Sequence, residues 1–182
     1  MSRNISSMVA VFGLGAGLVH LAVGAGSPLP FFIVFVLVGV AESAWAVLTF
    51  VKGRVPAPRS FAILTLLPVA FWAASIALGV GGLLPLGPLA AASVLGVVAA
   101  GAVLFSIRRR TSTPPRAGVP AAATRDADEH PWRFIGALAA SAALVAALVT
   151  PALSGTWAGQ FAVPHGSHDV PGPAIEDGHG GH

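Results

Sequence analysis

The chain of 182 residues contains no cysteine, which excludes disulfides, thiolate metal centres and c-type haem attachment. Charge is scarce as well: Lys, Arg, Asp and Glu make up 9% of residues, against roughly 25% in ordinary soluble domains. Met1 and Met8 are the only methionines, so the soft ligands that Cu(I) transport through the chain would need are missing. Neither a Gly-x-Ser-x-Gly elbow nor a Gly-Lys-Ser/Thr phosphate loop occurs, and no nucleophile, base and orienting group fall together. The sequence therefore predicts no enzyme and no catalytic residue. Gly13-Leu14-Gly15-Ala16-Gly17 imitates part of a dinucleotide loop, but it sits inside an apolar run with no strand before it.

What the chain has in abundance is apolar surface: 55% of its residues are hydrophobic. They are gathered in blocks over 8–26, 31–51, 61–82, 84–107 and 133–154. At 1.5 Å per helical residue, each block is long enough to cross roughly 30 Å of hydrocarbon. The expected fold is all-α: a polytopic membrane bundle of about five transmembrane helices. Ser27-Pro28-Leu29-Pro30, the segment from Lys52 to Arg59, and Gly81-Gly82 with Pro85 and Pro88 punctuate the blocks. The third and fourth blocks should form a tight hairpin.

A pI near 11.1 raises nucleic acid as a partner, but the placement of the cations argues against it. All ten Lys and Arg fall in three places: Arg3; Lys52, Arg54 and Arg59; and Arg108 to Arg110 with Arg116, Arg125 and Arg133. No aromatic residues alternate with them as stacking platforms. Cationic loops stay on the cytoplasmic side, so the expected topology has the N-terminus inside and the C-terminus outside. Residues 108–132, rich in Pro, Ala, Thr and charge, read as a disordered cytoplasmic linker. Asp126, Asp128 and Glu129 ahead of Pro131 suit the start of the fifth helix. Residues 155–182 read as a flexible tail outside. A rival reading makes 8–26 a cleaved signal peptide, with Val23-Gly24-Ala25 near the cleavage site; only one Arg precedes the run, which is long for that role.

Helices in lipid associate through small residues and polar contacts. Candidate contact faces are Gly13, Gly17, His20 and Gly24 on the first helix, and Phe35, Gly39, Glu42, Ala46 and Thr49 on the second. The third offers Thr65, Pro68, Trp72, Ser75, Gly79 and Gly82, the fourth Ser93, Gly96 and Ala100, and the fifth Gly136, Ala140, Ala143, Ala147 and Thr150.

His20 and Glu42 are the two ionisable residues inside the spans, and each is costly enough in lipid to require a protein-facing or wet position. Depth counted from the turn near Ser27 to Pro30 puts His20 about 10 Å and Glu42 about 18 to 20 Å down. That argues against a direct pair, and leaves a gap for water, a tilted helix or Ser75 to bridge. The two could serve an ion or proton relay; the plainer alternative is a protonated Glu42 bonded to a neighbouring helix and a neutral, satisfied His20.

The tail carries four of the six histidines. His165 and His168 form one His-x-x-His pair and His179 and His182 a second, with Asp169, Glu176 and Asp177 beside them. Imidazole with carboxylate suits Cu(II), Zn(II) or Ni(II), and an unstructured ligand set should follow the Irving–Williams order.

Val19-His20-Leu21-Ala22-Val23 followed by 31–45, and Thr150-Pro151-Ala152-Leu153 running into Val163-Pro164-His165-Gly166, resemble small multi-pass membrane proteins of high-GC Gram-positive bacteria. The resemblance is one of layout, and it implies a bacterial plasma membrane and no particular activity. The leading expectation is a non-enzymatic membrane protein that captures or senses a divalent metal through its tail. The alternatives are an assembly subunit docking a larger membrane complex or a second copy of itself, and a carrier using His20 and Glu42.

Overall fold

The computed structural model of the chain describes residues 3–111 and 131–161. Five long helices follow one another: α1 (Arg3–Ala25), α2 (Leu29–Lys52), α3 (Pro58–Ala77), α4 (Leu86–Thr111) and α5 (Pro131–Ser154). Short 3-10 turns stand at Gly81–Leu83 and Ala158–Phe161, and no strand occurs among the described residues. All five helices are long and apolar enough to cross a bilayer. Large apolar side chains such as Leu37, Val51, Leu67 and Phe105 point outward and are exposed, as lipid-facing residues do and as a water-facing surface of this size would not tolerate.

The helix ends follow local chemistry. α1 starts five residues earlier than position 8, because Ser6 and Val9 continue its buried face toward Arg3. α2 stops at Gly53, whose φ of 60° reverses the chain without the clash a Cβ would bring. α3 ends at Ala77, short of the block ending at 82, because the glycines in 79–82 that read as helical face residues instead build the turn; Gly79 adopts φ 76°. α5 opens on Pro131, whose fixed φ and missing N–H are harmless in a first turn.

α1 is the hub. It packs against α2, α4 and α5, while α3 leans mainly on α4. The reason is the glycine content of α1, which lets neighbours approach on several sides. A Cβ on Gly17 would stand 2.9 Å from the Gly39 carbonyl oxygen, and one on Gly15 would stand 2.7 Å from Val145 Cγ1. On the far side, Trp72 Nε1 of α3 donates to Ser93 Oγ of α4 at 2.8 Å, and Gly96 of α4 admits Thr65 Cγ2 to 3.0 Å from where its own Cβ would be.

The face expected for α5 is wrong. Gly136, Ala140, Ala143, Ala147 and Thr150 are all exposed, and Ser141, Val149 and Ala152 face inward instead. α1 supplies the small residue at this contact: Gly15 receives Val145 and Val149, so α5 can pack with its larger side chains and turn its smallest ones out. The face read for α2 is the buried one, residue for residue: Phe35, Gly39, Glu42, Ala46 and Thr49.

Candidate functional site

His20 and Glu42 meet directly. His20 Nδ1 lies 2.7 Å from Glu42 Oε2, with the two side chains 2% and 1% exposed. This overturns the separation of about 8 to 10 Å counted from the turn. That count took both helices to begin level, and they do not: Gly24, near the end of α1, lies against Phe35 and Val36 and not against the first turn of α2. α2 therefore runs more than a turn past the end of α1, where Leu29 stands 71% exposed. With Gly17 seated between Gly39 and Ser43, His20 and Glu42 differ in level by about four residues, roughly 6 Å, which the two side chains span because each leans toward the N-terminus of its own helix and so toward the other. Ser75 takes no part in a bridge; its hydroxyl donates to the Phe71 carbonyl of its own helix.

Two matching spacings build this contact. Gly17 precedes His20 by three residues on α1, and Gly39 precedes Glu42 by three on α2, so each ionisable side chain sits on the glycine face one turn along. The glycines bring the backbones together, a Cβ on Gly39 standing 2.7 Å from the Gly17 carbonyl oxygen. The polar groups close across the seam beside them. The spacing marks both residues as facing the glycine seam; because α1 and α2 run antiparallel, the two lie on opposite sides of the glycine contact and meet through side chains that lean back across it.

Above the pair the site is sealed by rings. His20 stacks on Phe35 with centroids 5.9 Å apart and planes 8° from parallel, and Phe35 meets Phe71 of α3 edge-on at 5.8 Å. A hydrogen bond held in so apolar a shell is electrostatically stronger than one in water, and an unsatisfied group there is correspondingly costly. One such group is present: Glu42 Oε1 has no hydrogen-bond partner among the described residues. Chemically, the 2.7 Å contact joins two groups that can each hold the proton between them, as imidazolium and carboxylate or as imidazole and carboxylic acid.

One turn from His20, Val23 lines a cavity of about 280 Å³ where the end of α1, the turn between α3 and α4 and the end of α5 converge, with Ser27, Trp157 and Gln160 on its wall. At the other end of the bundle Arg59 of α3 and Arg108 of α4 border a second, more apolar cavity of about 450 Å³.

The metal ligands expected in the tail, His165, His168, Asp169, Glu176, Asp177, His179 and His182, lie outside the described residues, as do positions 112–130 of the expected linker; the ends of that linker, 108–111 and 131–132, belong instead to α4 and α5, and the start of the expected tail holds the 3-10 turn Ala158–Phe161. Among the described residues no group of three His, Cys, Asp or Glu comes together that could hold a metal ion. No family model, curated protein or solved structure matches this chain.

Proposed function

We propose that this chain is a multi-pass protein of the bacterial plasma membrane that binds and moves a proton at the His20–Glu42 pair. One observation carries the reading: an ionisable pair in direct contact at 2.7 Å, almost wholly buried, within helices of membrane-spanning length. Intramembrane acids and histidines are expensive and serve proton or ion pathways more often than packing, and a pair with one carboxylate oxygen still unpartnered is poorly explained as structural glue. The cavity lined by Val23, one helical turn from His20, is the proposed approach from that end of the bundle. The proposed orientation keeps Lys52, Arg54, Arg59 and Arg108 to Arg110 on the cytoplasmic side, so that this cavity opens outward. The test is proton flux: purified chain in liposomes with an internal pH-sensitive dye should dissipate an imposed pH gradient, and Glu42→Gln should abolish that flux. Equal dissipation by wild type and variant would remove the reading.

A second reading rests on the tail. Two His-x-x-His pairs within eighteen positions, flanked by three carboxylates, favour capture of a divalent transition metal on the outer side. The two readings are compatible, because the tail and the buried pair use no residue in common.

A further inference from the structure

We propose that Thr65 is the next station of the proton path, joined to Glu42 by one bound water molecule; the inference rests on the proton-binding reading of the His20–Glu42 pair. It starts from a contrast among hydroxyls. Thr49, Ser75, Ser93, Ser106 and Ser141 each donate to a carbonyl of their own helix three or four residues back, the usual way a hydroxyl is satisfied inside an apolar helix. Thr65 does not. Its Oγ1 is buried and has no partner among the described residues, in a side chain 2% exposed.

Thr65 and Glu42 occupy the same layer of the bundle. Two ring contacts register α2 against α3: Trp45 with Phe61 at 6.1 Å and Phe35 with Phe71 at 5.8 Å. Between them Glu42 lies three residues from Trp45, and Thr65 lies four from Phe61. Antiparallel helices advance equally, so these two residues fall level. α2 and α3 touch only sparsely, and an oxygen of each residue in this layer, Glu42 Oε1 and Thr65 Oγ1, is buried and unpartnered. Pro68, lacking an N–H, also leaves the Leu64 carbonyl beside Thr65 without its helical donor.

A water molecule meets these needs together. It donates to Glu42 Oε1, accepts from or donates to Thr65 Oγ1, and can pass a proton between them without net change in either group. A monovalent cation would meet the lone pairs but leave the threonine proton unsatisfied, and the imidazole already serves the other carboxylate oxygen. Thr65 is thus a relay residue acting through the water, and the path runs from His20 through Glu42 into the seam between α3 and α4.

The experiment is infrared difference spectroscopy of the full chain in lipid nanodiscs between acid and alkaline pH, with the Glu42 carboxyl band assigned by its loss in Glu42→Gln. Thr65→Val keeps the methyl that packs at Gly96 and removes the hydroxyl; it should shift that band and abolish its sensitivity to H₂¹⁸O, and Thr65→Ser should restore both. In liposomes Thr65→Val should slow proton flux about tenfold, the equivalent of one hydrogen bond. A band unmoved by Thr65→Val overturns the proposal, as does a band shifted by sodium in place of water. If wild-type liposomes carry no protons while the band still responds to Thr65 and to labelled water, the transport reading falls and the bridge stands.

Discussion

The carbonyl oxygen of Gly17 stands 2.7 Å from where a Cβ of Gly39 would be, and the carbonyl oxygen of Gly39 stands 2.9 Å from where a Cβ of Gly17 would be. The contact is reciprocal and backbone to backbone, so neither side can yield by rotating a side chain. It also sets the register that brings His20 to Glu42. Gly17→Ala and Gly39→Ala should each destabilise the bundle by about 1–3 kcal/mol through overpacking, despite the better helix propensity of alanine. Gly101→Ala, where a Cβ would meet nothing within 4 Å, should be neutral or slightly stabilising. Thermal unfolding in a mild detergent, comparing the three variants, measures this; equal stability of all three would remove the glycine seam as the organiser of the site.

For the pair itself, a double-mutant cycle is the informative measurement. Removing one partner of a buried pair leaves the other polar and unmatched, whereas removing both does not. His20→Leu and Glu42→Leu should therefore each be costly alone, and the double variant should cost less than their sum, with a coupling of roughly 1–3 kcal/mol. A coupling indistinguishable from zero would mean the two side chains do not depend on each other.

Between α3 and α4, the Trp72 to Ser93 hydrogen bond of 2.8 Å should contribute about 0.5–1.5 kcal/mol, the range for a polar contact between helices in lipid. Trp72→Phe keeps most of the ring and loses the donor. Ser93 retains its own bond to the Leu89 carbonyl, so Ser93→Ala should weaken the bundle by a similar amount and the two losses should not add. Additive losses would show that the indole nitrogen has another partner.

The tail makes a separate prediction. Calorimetric titration of the whole chain should show micromolar binding of Cu(II), tighter than of Ni(II) or Zn(II), and replacement of His165, His168, His179 and His182 by alanine should abolish it. In sealed right-side-out vesicles, externally added protease should remove the tail and leave the loop at Lys52 to Arg59 uncut. Protection of the tail under those conditions would reverse the proposed orientation.

Much of the architecture is legible from residues alone, because a bilayer imposes one length scale and one polarity on every span. The buried face of α2 follows from helical spacing around Glu42, a residue that cannot face lipid. α5 has no such marker: its helix carries alanine on nearly every side, and which side packs is decided by the valines that fit Gly15 of another helix. The His20–Glu42 contact was hidden for a related reason. Spacing along one helix says which residues share a face, but the slide of one helix along its neighbour is set where two backbones dock, and the turn at Ser27 and Pro28 is long enough to permit several slides. The unpartnered oxygens of Glu42 and Thr65 depend on three helices at once and leave no trace in any single segment.

That the partners of the buried pair lie on consecutive helices bears on biosynthesis. As the nascent chain leaves the ribosome, the first hairpin can lock His20 onto Glu42 before the remaining segments exist, so the acid need not wait in the translocon for a distant match. A stop introduced after Lys52 should accordingly yield a fragment that still inserts, whereas one between His20 and Glu42 would strand the imidazole and mark the product for proteolytic clearance.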